Sequence, residues 1–172
     1  MNANLTETIQ RAKGSISILQ SAIINVLEKG SLTPVKIHDF MLGYNDINEI
    51  SGRIRGEDDS AVALFVFFIE DYLQRYVSGE GINLEGEEFL SFVIKKWNNF
   101  KIYLFFMRNI FAKISMFMKK NTLESVAFVF FKKAVFENIS EKLNRTIFEF
   151  LEKERDDIPV PKEKLKTIIS VG

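Results

Sequence analysis

His38 is the only histidine of this 172-residue chain, and its imidazole is the side chain best suited to act as a general base near neutral pH. The chain contains no cysteine, which excludes disulfides, thiolate metal ligands and a cysteine nucleophile. Few other side chains offer an acid, a base or a nucleophile. We therefore interpret His38, between Ile37 and Asp39 on a predicted helix, as a surface residue, and we predict that the chain is not an enzyme.

Glu85, Glu87 and Glu88 form the densest acidic group that falls at the start of a predicted helix. Three carboxylates so close together would be able to collect a divalent cation. The dipole of a helix also favours acidic side chains at its amino-terminal end, without any ligand. We prefer this structural interpretation and predict neither a metal nor a cofactor.

Nucleotide and nucleic-acid binding have no support in the sequence. Gly79, Gly81 and Gly86 are too widely spaced for a dinucleotide fingerprint, and no strand is predicted before them. The 23 basic residues balance 23 acidic ones, so no net charge attracts nucleic acid or an anionic membrane. The lysines occur as pairs on predicted helices, not as one basic tract: Lys95–Lys96, Lys119–Lys120 and Lys132–Lys133.

Composition indicates a single domain with a core rich in aromatic rings. Apolar residues make up 47% of the chain, and 17 of them are phenylalanines. The longest purely apolar run, residues 61–69, is too short to cross a membrane. Eight phenylalanines are spread too evenly around their helices for one buried stripe to hold them all, so we predict that most are core and the remainder interaction surface: Phe65, Phe67, Phe68, Phe105, Phe106, Phe128, Phe130 and Phe131.

Apolar residues recur at spacings of three and four along the chain, which predicts an all-α protein. A first helix ends near Gly30, a second begins at Thr33–Pro34, and a third begins at Asp59–Ser60 and runs to about Val77. The clearest stripe belongs to a long segment from Phe89 to Met118, with Trp97 on the buried face and a break expected near Asn98–Asn99.

The last third of the chain contains further helix signals. Asn121 and Glu124 have the spacing of a capping box, in which Asn121 accepts from the Glu124 backbone amide. Glu137–Asn138 interrupts the stripe that follows, and Ile158–Pro159 ends the next helix. A final apolar pattern, residues 163–171, reaches the end of the sequence as if cut. We therefore expect its apolar residues to have little to cover them.

Several of these segments, taken in order, resemble the first helical repeat of a cullin. The strongest are Trp97–Asn98, the run Met107-Arg108-Asn109-Ile110-Phe111, and the run Phe150-Leu151-Glu152-Lys153-Glu154-Arg155. The resemblance covers the chain from about Ile16 to its end. It implies a cullin-repeat-like helical bundle, an elongated stack of antiparallel helices. Residues 1–137 would form the first repeat, and residues 138–172 the truncated beginning of a second.

Cullins are scaffolds of modular ubiquitin ligases, and the resemblance implies that role here. Phe40 and Tyr44 match two aromatic residues, four positions apart, with which the family contacts its adaptor. The implied partner is a BTB/POZ-like or Skp-like adaptor that carries a substrate receptor, and the implied location is the cytoplasm or the nucleus. A RING protein would bind only through a carboxy-terminal region absent from this chain. The predicted adaptor-binding residues are Ile37, Phe40, Met41, Tyr44, Phe117 and Met118.

Two other interpretations remain open at this stage. The chain would fit a different helical-rod scaffold, such as a tethering-complex subunit, because such repeats look alike. It would also fit a helical binder of apolar ligands, with the surplus phenylalanines lining a cavity. Phe40 and Tyr44 would equally suit simple core packing.

Overall fold

A computed structural model describes residues 2–30, 35–53, 60–76, 83–115 and 122–171, and within these ranges all regular structure is helical. The all-α prediction is confirmed. The helices are α1 (Asn2–Leu27), α2 (Ile37–Arg53), α3 (Ser60–Tyr76), α4 (Gly86–Ile110), α5 (Ala112–Ser115), α6 (Leu123–Phe131), a π-helical segment (Lys132–Phe136), α7 (Glu137–Arg155) and α8 (Lys162–Val171).

The end of α1 and the start of α3 lie close to where the sequence predicts them. Gly30, three residues after α1, has a backbone φ of 69°, a conformation that glycine adopts without the steric cost of a Cβ. α3 starts at Ser60, as predicted, and ends at Tyr76. The predicted start of α2 at Thr33–Pro34 lies outside the described residues.

The predicted break at Asn98–Asn99 is wrong, because α4 runs through both residues and ends only at Ile110. Asn99 is buried, and its side-chain amide donates to the backbone oxygen of Leu27 at 3.2 Å. This contact with another helix, together with the packing around it, outweighs the weak helix propensity of asparagine. The turn comes at Phe111 instead, before the short helix α5.

The predicted capping box is also wrong in its residues. Thr122 is the N-cap of α6, and its hydroxyl accepts from the backbone amide of Ser125 at 3.1 Å. The Glu124 carboxylate does not reach back to the cap, since it pairs with Arg108 on α4. Asn121 lies outside the described residues.

A π-helical segment at Lys132–Phe136 joins α6 to α7 without an end to the helical path. The interruption was predicted at Glu137–Asn138, a few residues after the observed π-helical segment. It is a local widening of the helix and does not end it. Each π-turn takes up an additional residue. Phe131 and Val135 consequently stay in one buried cluster while Leu143 reaches another.

The buried residues form two clusters, and α4 belongs to both. The larger is built from α1, α2, α3, α4 and α6 with their adjoining segments, and includes Phe65, Phe100 and Phe111. The smaller lies around the amino-terminal end of α4 and takes in α7 and α8: Phe89, Leu90, Val93, Leu143, Leu165 and Ile168. The expectation that residues 163–171 lack a cover is therefore wrong, because Leu165 and Ile168 of α8 are buried there.

The phenylalanines divide into core and surface, as predicted. Phe65, Phe68 and Phe131 are buried, whereas Phe67, Phe105 and Phe128 are among the exposed large apolar residues. The remaining two, Phe106 and Phe130, are partly buried against the larger cluster. Trp97 is also partly buried there, with its ring 5.0 Å from that of Phe131. Among the described helices, none is long and apolar enough to cross a membrane.

Candidate functional site

The predicted site residues on α2 include two that present apolar side chains to solvent. Ile37 begins the helix with 81% of its surface exposed, and Met41, one turn later, is 42% exposed. Large aliphatic side chains presented to water in this way are typical of protein interfaces when they occur together. His38 is exposed beside them, in agreement with its interpretation as a surface residue.

Phe40 and Tyr44 lie at the border between this surface and the core. Their rings are stacked with centroids 6.4 Å apart and planes 11° apart. Both side chains are half-buried, and Phe40 packs against the larger buried cluster. Phe40 therefore contacts the core with part of its ring, and both rings remain partly exposed, so neither simple core packing nor a fully exposed interface describes the pair. Their role in binding stays a prediction.

α1 holds α2 in place through charged and polar side chains. Arg11 forms ion pairs with Asp46, at 3.2 Å, and with Glu49. The hydroxyl of Ser15 donates to the second oxygen of Asp46 at 2.8 Å. Ser15 follows Arg11 by one turn of α1, whereas its partner Asp46 precedes Glu49 by about one turn of α2, so the two helices are antiparallel and their register is fixed.

α2 packs against two neighbouring helices at Gly43. A Cβ at this position would lie 3.4 Å from Cγ1 of Ile16 on α1 and 3.8 Å from Cγ2 of Ile110 on α4. The inner side of α2 is thus pressed between two helices at the turn that carries Phe40 and Tyr44. This packing directs Ile37 and Met41 outward.

A buried ion pair fixes the end of α1, just before the connection to α2. Lys96 Nζ lies 2.5 Å from Glu28 Oε2, and the two side chains are only 6% and 8% exposed. Tyr72 donates its hydroxyl to the other Glu28 oxygen at 2.8 Å. Three helices, α1, α3 and α4, are therefore joined at this carboxylate, and hydrogen bonds and charge pairing compensate for its burial.

A second polar network lies deeper between the same helices. The Tyr103 hydroxyl donates to the backbone oxygen of Phe68 at 2.8 Å and accepts from the Gln20 amide at 3.0 Å. Burial raises the pKa of Tyr103 far above its ordinary value, so the phenol keeps its proton. Gln20 also donates to Asp71 at 3.1 Å. These contacts stabilise the scaffold and have no reactive arrangement.

Phe117 and Met118, the other two predicted site residues, lie outside the described residues. α5, which ends at Ser115 just before them, packs against α2. Asn48, one turn beyond Tyr44 on α2, is a polar residue that was not predicted to belong to the site. Its buried Oδ1 has no hydrogen-bond partner. Only the folded structure could identify this atom, since its burial depends on other helices.

The acidic residues at the start of α4 are engaged by lysines. Glu85 pairs with Lys142 of α7 at 3.3 Å, and Glu87 pairs with Lys164 of α8 at 2.7 Å. In the part of the chain that the structure describes, no group of three or more His, Cys, Asp or Glu side chains could hold a metal ion. Glu85 and Glu87 thus connect the amino-terminal end of α4 to α7 and α8.

Two grooves were considered as sites for a small ligand. One, of about 480 Å³, lies between α4 and α8 and is lined by Ser91, Asn98 and Lys95, among others. The other, of about 330 Å³, lies between α3 and the π-helical segment, with Glu70 and Lys133 in its wall. Charged and amide side chains stand beside apolar ones in both grooves, such as Ile94 in the first and Phe130 in the second.

Packed helices around two buried apolar clusters, with exposed apolar residues at the start of α2, are typical of a helical scaffold. The family profile described as the cullin alpha solenoid domain matches residues 16–171. The chain belongs to the cullin family. Comparisons with curated proteins and with solved structures found no match.

Proposed function

We propose that this chain is the amino-terminal scaffold part of a cullin-type ubiquitin ligase and binds a substrate-receptor adaptor through α2. The observation that carries the proposal is the exposure of Ile37 and Met41 beside the stacked pair Phe40–Tyr44. The chain matches the cullin alpha solenoid domain, which is a scaffold fold. The adaptor is BTB/POZ-like or Skp-like and brings the substrate receptor. The RING protein binds another region of a cullin, and the complex acts in the cytoplasm or the nucleus.

The chemistry of α2 suits such a partner. Apolar side chains at the centre of an interface contribute most of its binding energy when the partner excludes water from them. Met41 is flexible and polarisable, so it adapts to an irregular partner surface. The two acidic residues further along α2, Asp46 and Glu49, both pair with Arg11 of α1.

The test measures binding of a panel of purified BTB/POZ-type and Skp-like adaptors from the same organism. The variant Ile37→Ala/Met41→Ala should weaken binding by about thirtyfold, or about 2 kcal/mol, without a change in melting temperature. Ile169→Ala is the matched control, since Ile169 is 58% exposed on α8. If the unmodified chain binds none of these adaptors, the proposal is wrong.

The alternative scaffold and the ligand binder are less well supported. Membership of the cullin family removes the reason to prefer a tethering-complex subunit. The two grooves mix charged, amide and apolar side chains, so they do not by themselves favour an apolar ligand. Native mass spectrometry of the purified chain would detect a retained lipid and would revive the second alternative.

A further inference from the structure

The larger of the two grooves, of about 480 Å³, lies between α4 and α8, and none of the residues that line it belongs to α2. Its α4 wall consists of residues that recur at spacings of three and four and therefore share one side of the helix: Ser91, Ile94, Lys95, Asn98 and Asn99. The α8 wall consists of Glu163, Lys164 and Thr167. The two walls differ in how far their polar groups already have partners.

The polar groups of the α8 wall are engaged. Lys164 Nζ lies 2.7 Å from the Glu87 carboxylate. The Thr167 hydroxyl donates to the backbone oxygen of Glu163 at 2.9 Å, and the Glu163 carboxylate lies 3.8 Å from Lys166 Nζ. Each charged side chain of this wall therefore has a neighbour of opposite charge.

The polar groups of the α4 wall are open. Ser91, Lys95 and Asn98 form no side-chain hydrogen bond or ion pair within the ranges that the structure describes. Lys95 and Asn98 are exposed, so a ligand can reach both. Because Lys164 and Glu163 are paired, the ammonium group of Lys95 carries the unpaired charge of the groove.

Asn99 adds a buried polar group to this wall. It is only 9% exposed, and its side-chain nitrogen donates to the backbone oxygen of Leu27 at 3.2 Å. A backbone carbonyl can only accept, so this contact fixes which end of the carboxamide is the nitrogen. The carboxamide oxygen accepts no hydrogen bond from any described residue. A largely buried acceptor without a donor is costly, so an N–H group of a ligand in the groove would stabilise it.

We propose that this groove binds an extended acidic segment of a partner protein along α4. A carboxamide offers both a donor and an acceptor, which match the C=O and N–H groups of an extended backbone. A helical segment would use those backbone groups internally and leave Asn98 and Asn99 without partners. The Lys95 ammonium would pair with a carboxylate of the segment.

The length and lining of the groove suit a short peptide better than other polar ligands. From Ser91 to Asn98 the helix rises about 10 Å, a length that about three residues of extended chain span. A neutral sugar would leave the Lys95 charge unused. A nucleotide base stacks on aromatic rings, and the described residues that line this groove include none.

The first experiment uses a defined probe, the tripeptide Ala-Glu-Ala with both ends blocked, titrated to millimolar concentration into the ¹⁵N-labelled chain. The side-chain amide signals of Asn98 and Asn99 should shift in a saturable way. Ala-Gln-Ala should bind about fivefold more weakly, because an exposed ion pair contributes about 1 kcal/mol. If neither signal shifts, or if both peptides bind equally, the proposal is wrong.

Variants of the chain test whether the binding belongs to this groove. Lys95→Gln should weaken binding of Ala-Glu-Ala about fivefold and remove its advantage over Ala-Gln-Ala. Asn98→Ala should weaken both peptides alike. Melting temperatures should stay unchanged, since both side chains are exposed.

Lys133→Gln is the matched control, because Lys133 is also exposed and lies in the other groove. It removes the same charge and should leave the binding of both peptides unchanged. If Lys133→Gln weakens binding as much as Lys95→Gln does, the peptide responds only to net charge and the proposal is wrong. These measurements do not involve α2, so their outcome is separate from that of the adaptor-binding test.

Discussion

Lys96 of α4 and Glu28, which follows α1, form a nearly dry ion pair across the bundle, with 2.5 Å between Nζ and Oε2. The carboxylate also accepts a hydrogen bond from Tyr72 of α3. A charge in this position is tolerated only because its partners surround it. The pair therefore couples three helices immediately before the connection that leads into α2.

Removing the lysine alone should destabilise the chain strongly. Lys96→Met leaves Glu28 buried without its counter-charge and should lower the free energy of unfolding by about 3 kcal/mol or more. The double variant Lys96→Met/Glu28→Gln should recover much of that loss, because glutamine is neutral and still accepts from Tyr72. Urea denaturation of the three proteins checks this. Equal losses in the single and double variants would show that the ion pair does not matter.

The position of Gly43 predicts opposite effects for a small and a large side chain. Gly43→Ala should be tolerated and should stabilise by up to about 1 kcal/mol, because the added methyl has room at 3.4 Å from Ile16 and alanine favours helix. Gly43→Leu should destabilise by about 1 to 3 kcal/mol, because the larger side chain forces α2 away from α1 and α4. Thermal melts compare the two. A tolerated leucine would argue against the close packing of α2.

The burial of Leu165 predicts that α8 is part of the folded unit. Leu165→Ala should cost about 2 to 5 kcal/mol of stability by leaving a cavity beside Phe89 and Leu90. Ile169→Ala, on the exposed side of the same helix, should be close to neutral. A truncation after Asp157 should also lower the melting temperature sharply. If the truncated protein melts at an unchanged temperature, α8 does not stabilise the remainder.

The π-helical segment predicts sensitivity to chain length. Deleting Lys133 should remove the additional residue of the π-turn and rotate α7 by about 100° relative to α6. Leu143 would then leave the smaller cluster, and the chain should lose several kcal/mol of stability or fail to fold. Lys133→Ala keeps the length and should be neutral, since Lys133 is exposed. Denaturation curves for both proteins test whether length or side chain matters.

Helix type and inward faces were predictable because apolar spacing encodes them directly. Ile16, Leu19 and Ile23, for example, follow the helical period and are all buried. Asn99 was not predictable in the same way, because its hydrogen bond goes to Leu27, far away in sequence. Local propensity contains no information about such a contact.

The candidate site was predictable only in part for the same reason. Ile37 and Ile47 belong to one stripe of α2, yet Ile37 is exposed and Ile47 is fully buried. The difference arises because the neighbouring helices cover α2 around Ile47 and Gly43 and leave its first turn uncovered. Periodicity identifies a stripe but cannot show how much of it a neighbour covers.

The continuity of α4 through both buried clusters has a mechanical consequence. Its 25 residues span roughly 37 Å at 1.5 Å per residue, with Phe89 in one cluster and Phe111, just past its end, in the other. A sharp kink between the two clusters would have to break backbone hydrogen bonds of a packed helix. We therefore expect α4 to resist bending between the two clusters. We also expect α4 to keep a partner docked on α2 at a nearly constant distance from α7 and α8.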